Sequence, residues 1–179
     1  RVAPLFTLAG LIRDNHEKIC HVLSEEMGKS LPDARAEMDR TLENVEVACG
    51  MPIIQQGDKL IGAAPGVDGE VIRLPLGVFT MIAPFNFPGM VPFWFLPYAI
   101  ASGNTFVLKP SKQVPLTMQL ITEYIDQCGL PDGVFNMVCG DRVVADAFME
   151  HPDVRGVSVV GSSPVCQVIA NKCAANNKR

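Results

Sequence analysis

The first part of the chain places apolar residues at helical spacing. Between residues 2 and 27 these residues are Leu5, Leu8, Ile12, Ile19, Val22 and Leu23. The spacing predicts one helix with a single apolar face, and Gly28 ends it. Pro32-Asp33 opens a second predicted helix. Its apolar positions are Ala34, Met38, Leu42, Val45 and Ala48.

The pattern changes after the second helix. Gly50–Gly69 is rich in Gly, Pro and Gln, which predicts a loop. Polar and apolar residues alternate in Glu70–Leu74, which predicts a strand. Continuous apolar runs follow at Val78–Ile82, Thr105–Leu108, Val134–Val138 and Val157–Val160.

Helix-like stretches separate the four apolar runs, at Pro92–Ala101, Pro115–Cys128 and Arg142–Glu150. Short apolar strands that alternate with helices are typical of a parallel sheet covered on both faces and joined by right-handed crossovers. We therefore predict an α/β fold, a Rossmann-like parallel sheet with flanking helices and a helical N-terminal lead-in. Residues 1–69 form the helical lead-in and loop, and residues 70–179 form the βαβ part.

Composition excludes several functional classes. The 179 residues are 48% hydrophobic, which is enough for a core. The net charge is −4 and the lysines and arginines are scattered, which argues against a nucleic-acid partner. The six cysteines form no CxxC pair and have no His companion at metal spacing. We therefore predict buried thiols in a reducing compartment and no metal site.

One uncharged segment, from Leu76 to Ser102, is long enough to span a bilayer. However, it contains Asn86 and is interrupted by Pro84, Pro88, Pro92 and Pro97. Each proline removes a helical hydrogen bond and costs about 3 kcal/mol inside a helix. A buried strand, a loop and a short helix that starts near Pro88–Pro92 are predicted instead, and no membrane partner.

Several polar or small residues follow the C-terminal ends of the predicted strands: Asn86, Lys109, Gly140 and Gly161-Ser162. Parallel α/β sheets bind ligands outside the carboxyl ends of their strands. We therefore expect these positions to converge on one crevice.

Two motifs carry a resemblance to a known family. They are Ile82-Ala83-Pro84-Phe85-Asn86-Phe87-Pro88 and Gly103-Asn104-Thr105-Phe106-Val107-Leu108-Lys109-Pro110-Ser111. Their order resembles the aldehyde dehydrogenase superfamily over nearly the whole chain. Together with Arg73-Leu74-Pro75-Leu76-Gly77-Val78, they are most similar to its CoA-acylating malonate and methylmalonate semialdehyde dehydrogenase branch.

The resemblance implies that Asn86 is catalytic. Aldehyde oxidation through a thiol ester passes through a tetrahedral adduct with negative charge on oxygen. A preorganised amide N–H directed at that oxygen is worth about 10²–10³ in rate. The alternative is an asparagine that caps a helix or hydrogen-bonds the turn before Pro88. The resemblance also implies cofactor contacts for Ala83 and Phe85.

The resemblance makes Lys109 a ligand of the adenosine ribose of NAD, although a lysine at a strand end is commonly a surface residue. Most family members have a glutamate two residues after the motif's proline, where this chain has Lys112. A carboxylate there repels a 2′-phosphate and a cation attracts it, so Lys112 indicates NADP tolerance, weaker cofactor binding or a solvated lysine. Gln113 is expected to border the same ribose.

The Gly161-Ser162 turn precedes a predicted helix with Pro164 in its first turn. Free N–H groups at such a helix start suit a pyrophosphate, and we expect Ser162 to bind cofactor. An ordinary helix cap is the alternative. The family usually has a second Gly where Cys166 stands, which puts the close approach of adenosine in doubt.

Arg40 lies on the second predicted helix, where a surface ion pair is the ordinary role. In the resembling branch an arginine on this helix grips the substrate carboxylate, a bidentate task suited to guanidinium. The resemblance therefore implies that Arg40 binds the carboxylate of a semialdehyde. His16, His21 and His151 do not cluster in the sequence and are expected to be solvated or to cap helices.

The implied reaction is oxidation of malonate or methylmalonate semialdehyde, as in valine catabolism, with NAD as oxidant and CoA as acyl acceptor. In the family the nucleophilic Cys, a general-base Glu and the oligomerisation segment come later than Ser162. We therefore expect the chain to be an inactive fragment of a homotetrameric enzyme, mitochondrial in a eukaryote and otherwise cytoplasmic. A non-catalytic nucleotide-binding or interaction module is the alternative.

Overall fold

The computed structural model describes residues 1–179. The chain opens with the helices α1 (Ala3–Asp14), α2 (His16–Met27), α3 (Leu31–Cys49) and the single turn α4 (Met51–Ile54). The prediction of one helix over residues 2–27 is wrong, because the helix is interrupted at Asn15. The Asn15 side-chain amide donates to the Leu11 carbonyl at 2.9 Å, and local bonds of this kind compete with the helical pattern.

A hairpin follows, made of β1 (Lys59–Ala64) and β2 (Val67–Glu70) in antiparallel pairing. The predictions of a loop over Gly50–Gly69 and of a strand over Glu70–Leu74 are therefore wrong. Both strands of the hairpin are exposed almost throughout, so neither carries a buried alternating face. Gly66 has a φ of 74° in the turn, a conformation that glycine adopts without a steric penalty.

The main sheet consists of β3 (Val78–Ile82), β4 (Thr105–Lys109), β5 (Phe135–Met137) and β6 (Val154–Val159). Its strands are parallel and lie in the order β5-β4-β3-β6. The chain moves outward from β3 to β5 and then returns to the other side of β3. This parallel α/β sheet confirms the predicted fold class. The point of reversal, between β3 and β6, is where such sheets bind ligands.

The crossovers are helical. A 3-10 turn (Val91–Trp94) and α5 (Leu96–Ala101) join β3 to β4, and α6 (Leu116–Gln127) joins β4 to β5. After β5 come α7 (Arg142–Glu150), β6 and α8 (Ser163–Ala175). The helices predicted at Pro115–Cys128 and Arg142–Glu150 are confirmed, whereas the stretch Pro92–Ala101 is divided at Phe95.

Neighbouring residues of β3 show how the core is divided. Met81 belongs to the large cluster that α1, α2, α3, α5 and α6 form on one face of the sheet. Ile82 packs instead against the small cluster of Met149, Ile169 and Cys173, which α7 and α8 form. Successive side chains of a strand point to opposite faces. Both faces of the sheet are therefore covered by helices, as predicted.

Candidate functional site

A crevice of about 840 Å³ lies at the carboxyl ends of β3 and β4, between the helices α7 and α8. Of the predicted cofactor residues, Ala83, Lys109, Lys112 and Gln113 line it. Pockets for small molecules and cofactors commonly have volumes of about 300–1,000 Å³. The crevice is therefore large enough for most of a dinucleotide.

Lys109 is the last residue of β4 and is buried, with only 7% of its surface exposed. Its ammonium donates to the carbonyl of Pro110 at 3.3 Å. Burial lowers the pKa of Lys109, and Lys112 lowers it further, against the opposing charges of Asp141 and Cys139. A buried cation with a single weak acceptor retains donors for a ligand in the crevice.

Lys112 and Gln113 follow Lys109 in the loop before α6, and both are exposed. The backbone N–H of Gln113 donates to Ser111 Oγ at 3.3 Å, which fixes the turn. Lys109 and Lys112 therefore line the same crevice, but Lys109 is buried and Lys112 is exposed to solvent. Lys112 is free to meet a charged group at the opening.

Several charged residues of α7, its N-cap and α8 that were not predicted also line the crevice: Asp141, Arg142, Asp146 and Lys172. Lys172 donates to Asp146 at 2.7 Å and contacts Glu150 at 2.6 Å. Its hydrogen bond lowers the pKa of Asp146, and the two carboxylates raise the pKa of Lys172. Only the position of Asp141 as the N-cap of α7, directly after Gly140, could have been read from the sequence.

Ser162 stands at the N-cap of α8, but its hydroxyl accepts no hydrogen bond from the first turn. The side chain is exposed. Pro164 and Val165, which open the same helix, line the crevice. The ordinary capping role is thus absent, and the positive end of α8 lies beside the crevice.

Asn86 lies in the loop between β3 and the 3-10 turn, here called the Asn86 loop (residues 83–90). Its side chain is exposed and makes no hydrogen bond within the chain, so neither alternative, capping or bonding to the turn, is realised. Phe85 is also exposed, at 54%, and neither residue lines the crevice.

The Asn86 loop rests on α3 through residues that the sequence analysis did not identify. The Glu37 carboxylate, which is fully buried, accepts from the N–H groups of Gly89 and Met90 at 2.8 and 3.1 Å. Lys29 binds this carboxylate and also donates to the Asn86 carbonyl at 3.0 Å. The signal in the sequence was a glutamate three residues after Ala34, on the apolar face of α3.

Arg40 is exposed on α3 and pairs with Glu43 at 2.7 Å. Exposed ion pairs of this kind contribute about 0.2–1 kcal/mol, so another carboxylate can replace Glu43 at little cost. One turn further along, Asn44 accepts from the hydroxyl of Tyr98 at 3.1 Å, which ties this part of α3 to α5. The structure therefore leaves Arg40 available to a ligand and brings no other predicted site residue into contact with it.

No metal site was found: the structure contains no group of three or more His, Cys, Asp or Glu residues that could hold an ion. Four of the cysteines are buried, Cys166 is partly buried and Cys139 is exposed. None of the helices combines the length and apolarity needed to cross a membrane.

Comparison with known proteins decides the family. The model of the aldehyde dehydrogenase family matches residues 1–179. The chain belongs to the aldehyde dehydrogenase family. Its relatives are oxidoreductases, and this aldehyde dehydrogenase chain resembles the malonate-semialdehyde dehydrogenase of Bacillus subtilis, with 43% identity over 179 residues. It spans 37% of that protein's length.

Solved structures agree with this assignment. The methylmalonate-semialdehyde dehydrogenase of Oceanimonas doudoroffii superposes with a TM-score of 0.98 at 42% identity, over 100% of this aldehyde dehydrogenase chain and 37% of its own. A Sinorhizobium meliloti protein complexed with NAD superposes with a TM-score of 0.97 at 40% identity, over 100% and 36% of the two chains. The predicted family and fold are therefore confirmed.

Proposed function

We propose that the chain is the cofactor-binding part of an NAD-dependent, CoA-acylating semialdehyde dehydrogenase that oxidises malonate or methylmalonate semialdehyde. The observation that carries the proposal is the crevice at the strand reversal, with the buried cation of Lys109 inside it and the free amide of Asn86 in the loop after β3. Residues 70–179 would bind the dinucleotide, and a thiol from outside these residues would be the nucleophile.

The residues of the crevice fit NAD. Lys109 would donate to the ribose hydroxyls, and Gln113 and Lys112 would border the same ribose. Pro164 and Val165 open α8 at the crevice wall, where its free N–H groups would face the pyrophosphate. When bound, NAD supplies the acceptor for the aldehyde's hydride. NADP would be tolerated because Lys112 attracts a 2′-phosphate instead of repelling it.

In the proposed reaction a cysteine thiolate attacks the aldehyde carbon and the carbonyl oxygen becomes negatively charged. The amide N–H of Asn86 would donate to this oxygen. Loss of hydride from the adduct leaves a thioester on the cysteine. The thiolate of CoA then attacks the acyl carbon and releases the enzyme's cysteine, which balances the reaction. Arg40 would hold the substrate's carboxylate through two parallel hydrogen bonds.

The substrate assignment is tested in an enzyme that contains these residues and the nucleophile. Arg40→Gln should raise KM for malonate semialdehyde about tenfold or more, the equivalent of losing about 1.4 kcal/mol, and leave KM for propanal unchanged. Arg35→Gln, on the same helix but paired with Glu17, is the matched control. Equal effects of Arg40→Gln on both aldehydes would contradict the carboxylate role.

Two measurements on the purified chain test the cofactor site and the external nucleophile. We expect the purified 179 residues to bind NAD and to form no NADH with malonate semialdehyde. NADH formation by this chain alone would contradict an external nucleophile. Absence of binding to both NAD and NADP would contradict the cofactor site.

A further inference from the structure

The strongest feature outside the crevice is a buried charge pair under the Asn86 loop. The side chain of Glu37 is 0% exposed and that of Lys29 is 10% exposed. A buried ion without partners is strongly disfavoured, so each group in such a pair needs further hydrogen bonds. Both residues obtain these bonds from the Asn86 loop.

Glu37 binds the loop after Pro88. One carboxylate oxygen accepts from both Gly89 N–H and Met90 N–H, while the other binds Lys29. Hydrogen bonds to an ionised acceptor are about twice as strong as neutral ones. The end of the loop that enters the 3-10 turn is therefore fixed to α3.

Lys29 binds the loop before Pro88. Its ammonium donates to the Asn86 carbonyl at 3.0 Å and lies 4.4 Å from the centre of the Phe87 ring. Cation–π attraction becomes stronger as the cation is desolvated. The two charges thus hold the backbone on both sides of Pro88.

The fit between loop and helix is close. Thr41 Oγ donates to the Gly89 carbonyl at 3.2 Å. A Cβ on Gly89 would lie 2.8 Å from Met38 Sδ and 3.3 Å from Glu37 Oε1. A larger residue at this position would therefore displace either the loop or the fully buried Met38 side chain.

The Asn86 carboxamide makes no bond within the chain, so its direction depends on the backbone that carries it. A preorganised donor must be held near its working position before the charge develops. We propose that Lys29 and Glu37 are positioning residues that hold the Asn86 loop for oxyanion stabilisation. The inference rests on the proposed role of Asn86 as the oxyanion donor.

The first test uses the 15N-labelled 179-residue chain and needs no activity. In Lys29→Met and Glu37→Gln, hydrogen exchange of the Gly89 and Met90 amides should accelerate about tenfold or more relative to the core strands, as expected for local opening. The Asn86 side-chain amide signals should shift as well. Glu46→Gln, an exposed glutamate of the same helix, should change neither. Unchanged exchange and unchanged Asn86 signals in both variants would overturn the proposal.

A second variant covers the case in which Glu37→Gln does not fold. Gly89→Ala keeps both charges but crowds Met38 and Glu37, and should give the same exchange and Asn86 shifts. Lys29→Arg should restore the Asn86 signals towards those of the unmodified chain. A shift in the denaturation midpoint with unchanged amide exchange at residues 89 and 90 and unchanged Asn86 signals would show a structural role only. It would overturn the proposed positioning of Asn86.

The third test measures kcat and KM in an enzyme that contains these residues and the nucleophile. Lys29→Met should lower kcat about tenfold with KM for the aldehyde nearly unchanged, and it should have no further effect in an Asn86→Ala background, because residues that act as a unit are not additive. Additive losses would overturn the proposal. If Asn86→Ala alone leaves kcat unchanged, the proposed function fails, while the exchange experiment still decides whether the pair holds the loop.

Discussion

Lys109 and Lys112 line the same crevice, but Lys109 is buried at its base whereas Lys112 is exposed at its edge. Burial lowers the pKa of Lys109 and the charge of Lys112 lowers it further. Arg142 and Lys172 line the crevice as well, so its cations outnumber the carboxylates of Asp141 and Asp146 and favour an anionic or hydroxyl-rich ligand. This arrangement gives separate predictions for the two residues.

Replacing Lys112 tests nucleotide preference. Lys112→Glu should weaken NADP binding about tenfold or more, because a carboxylate repels the 2′-phosphate, and should leave NAD binding equal or tighter. Titration calorimetry of the chain with both nucleotides measures this. Lys59→Glu, on the exposed strand β1, is the control for net charge. An equal change in affinity for NAD and NADP would show that Lys112 does not meet the 2′-position.

Replacing Lys109 should change the stability of the fold and the affinity for NAD in opposite directions. Lys109→Met removes a buried cation and should raise the free energy of unfolding by about 1 kcal/mol at pH 7, while NAD binding weakens. Since the pKa of Lys109 is lowered on folding, the unmodified chain gains stability as pH rises from the lowered value towards about 10.4. The difference in free energy of unfolding between Lys109→Met and the unmodified chain should therefore shrink as pH rises over that range. Urea denaturation at pH 7 and pH 9.5 measures it, and an advantage that grows with pH would contradict the argument.

The sequence predicted the main sheet because its strands are short, apolar and separated by helices. Val78–Ile82 and Arg142–Glu150 have the predicted bounds. The hairpin of β1 and β2 was missed because its strands are exposed on both faces and carry no apolar alternation. The break at Asn15 was missed because the apolar spacing continues across it.

The candidate site was predictable only in part. The rule that strand ends converge placed Asn86, Lys109, Gly140 and Gly161-Ser162 at one crevice. Lys109 and Gly140 do line it, whereas Asn86, Gly161 and Ser162 do not. Glu37 was missed because periodicity counts apolar residues, and a glutamate on the apolar face shows its partners only once the Asn86 loop is folded against it. The exposure of Asn86 could not be predicted either, since burial depends on contacts between distant segments.

One contact between α2 and α6 gives a prediction about stability. The carboxylate of Glu26 accepts from the backbone N–H groups of Leu116 and Thr117 and from Thr117 Oγ. Glu26→Ala leaves these donors at the start of α6 without partners and should cost about 2 kcal/mol. Glu25→Ala, an exposed neighbour, should change stability by less than about 0.5 kcal/mol. Equal effects in thermal denaturation would contradict the capping role of Glu26.

The central claim is that the crevice holds a nicotinamide dinucleotide. The most direct measurement is a titration of the 15N-labelled chain with NAD, followed residue by residue. Saturable shifts are expected at Ala83, Lys109, Lys112, Gln113 and Ser162, with the hairpin of β1 and β2 unaffected. No saturable shift up to millimolar NAD, or shifts confined to residues away from the crevice, would contradict it.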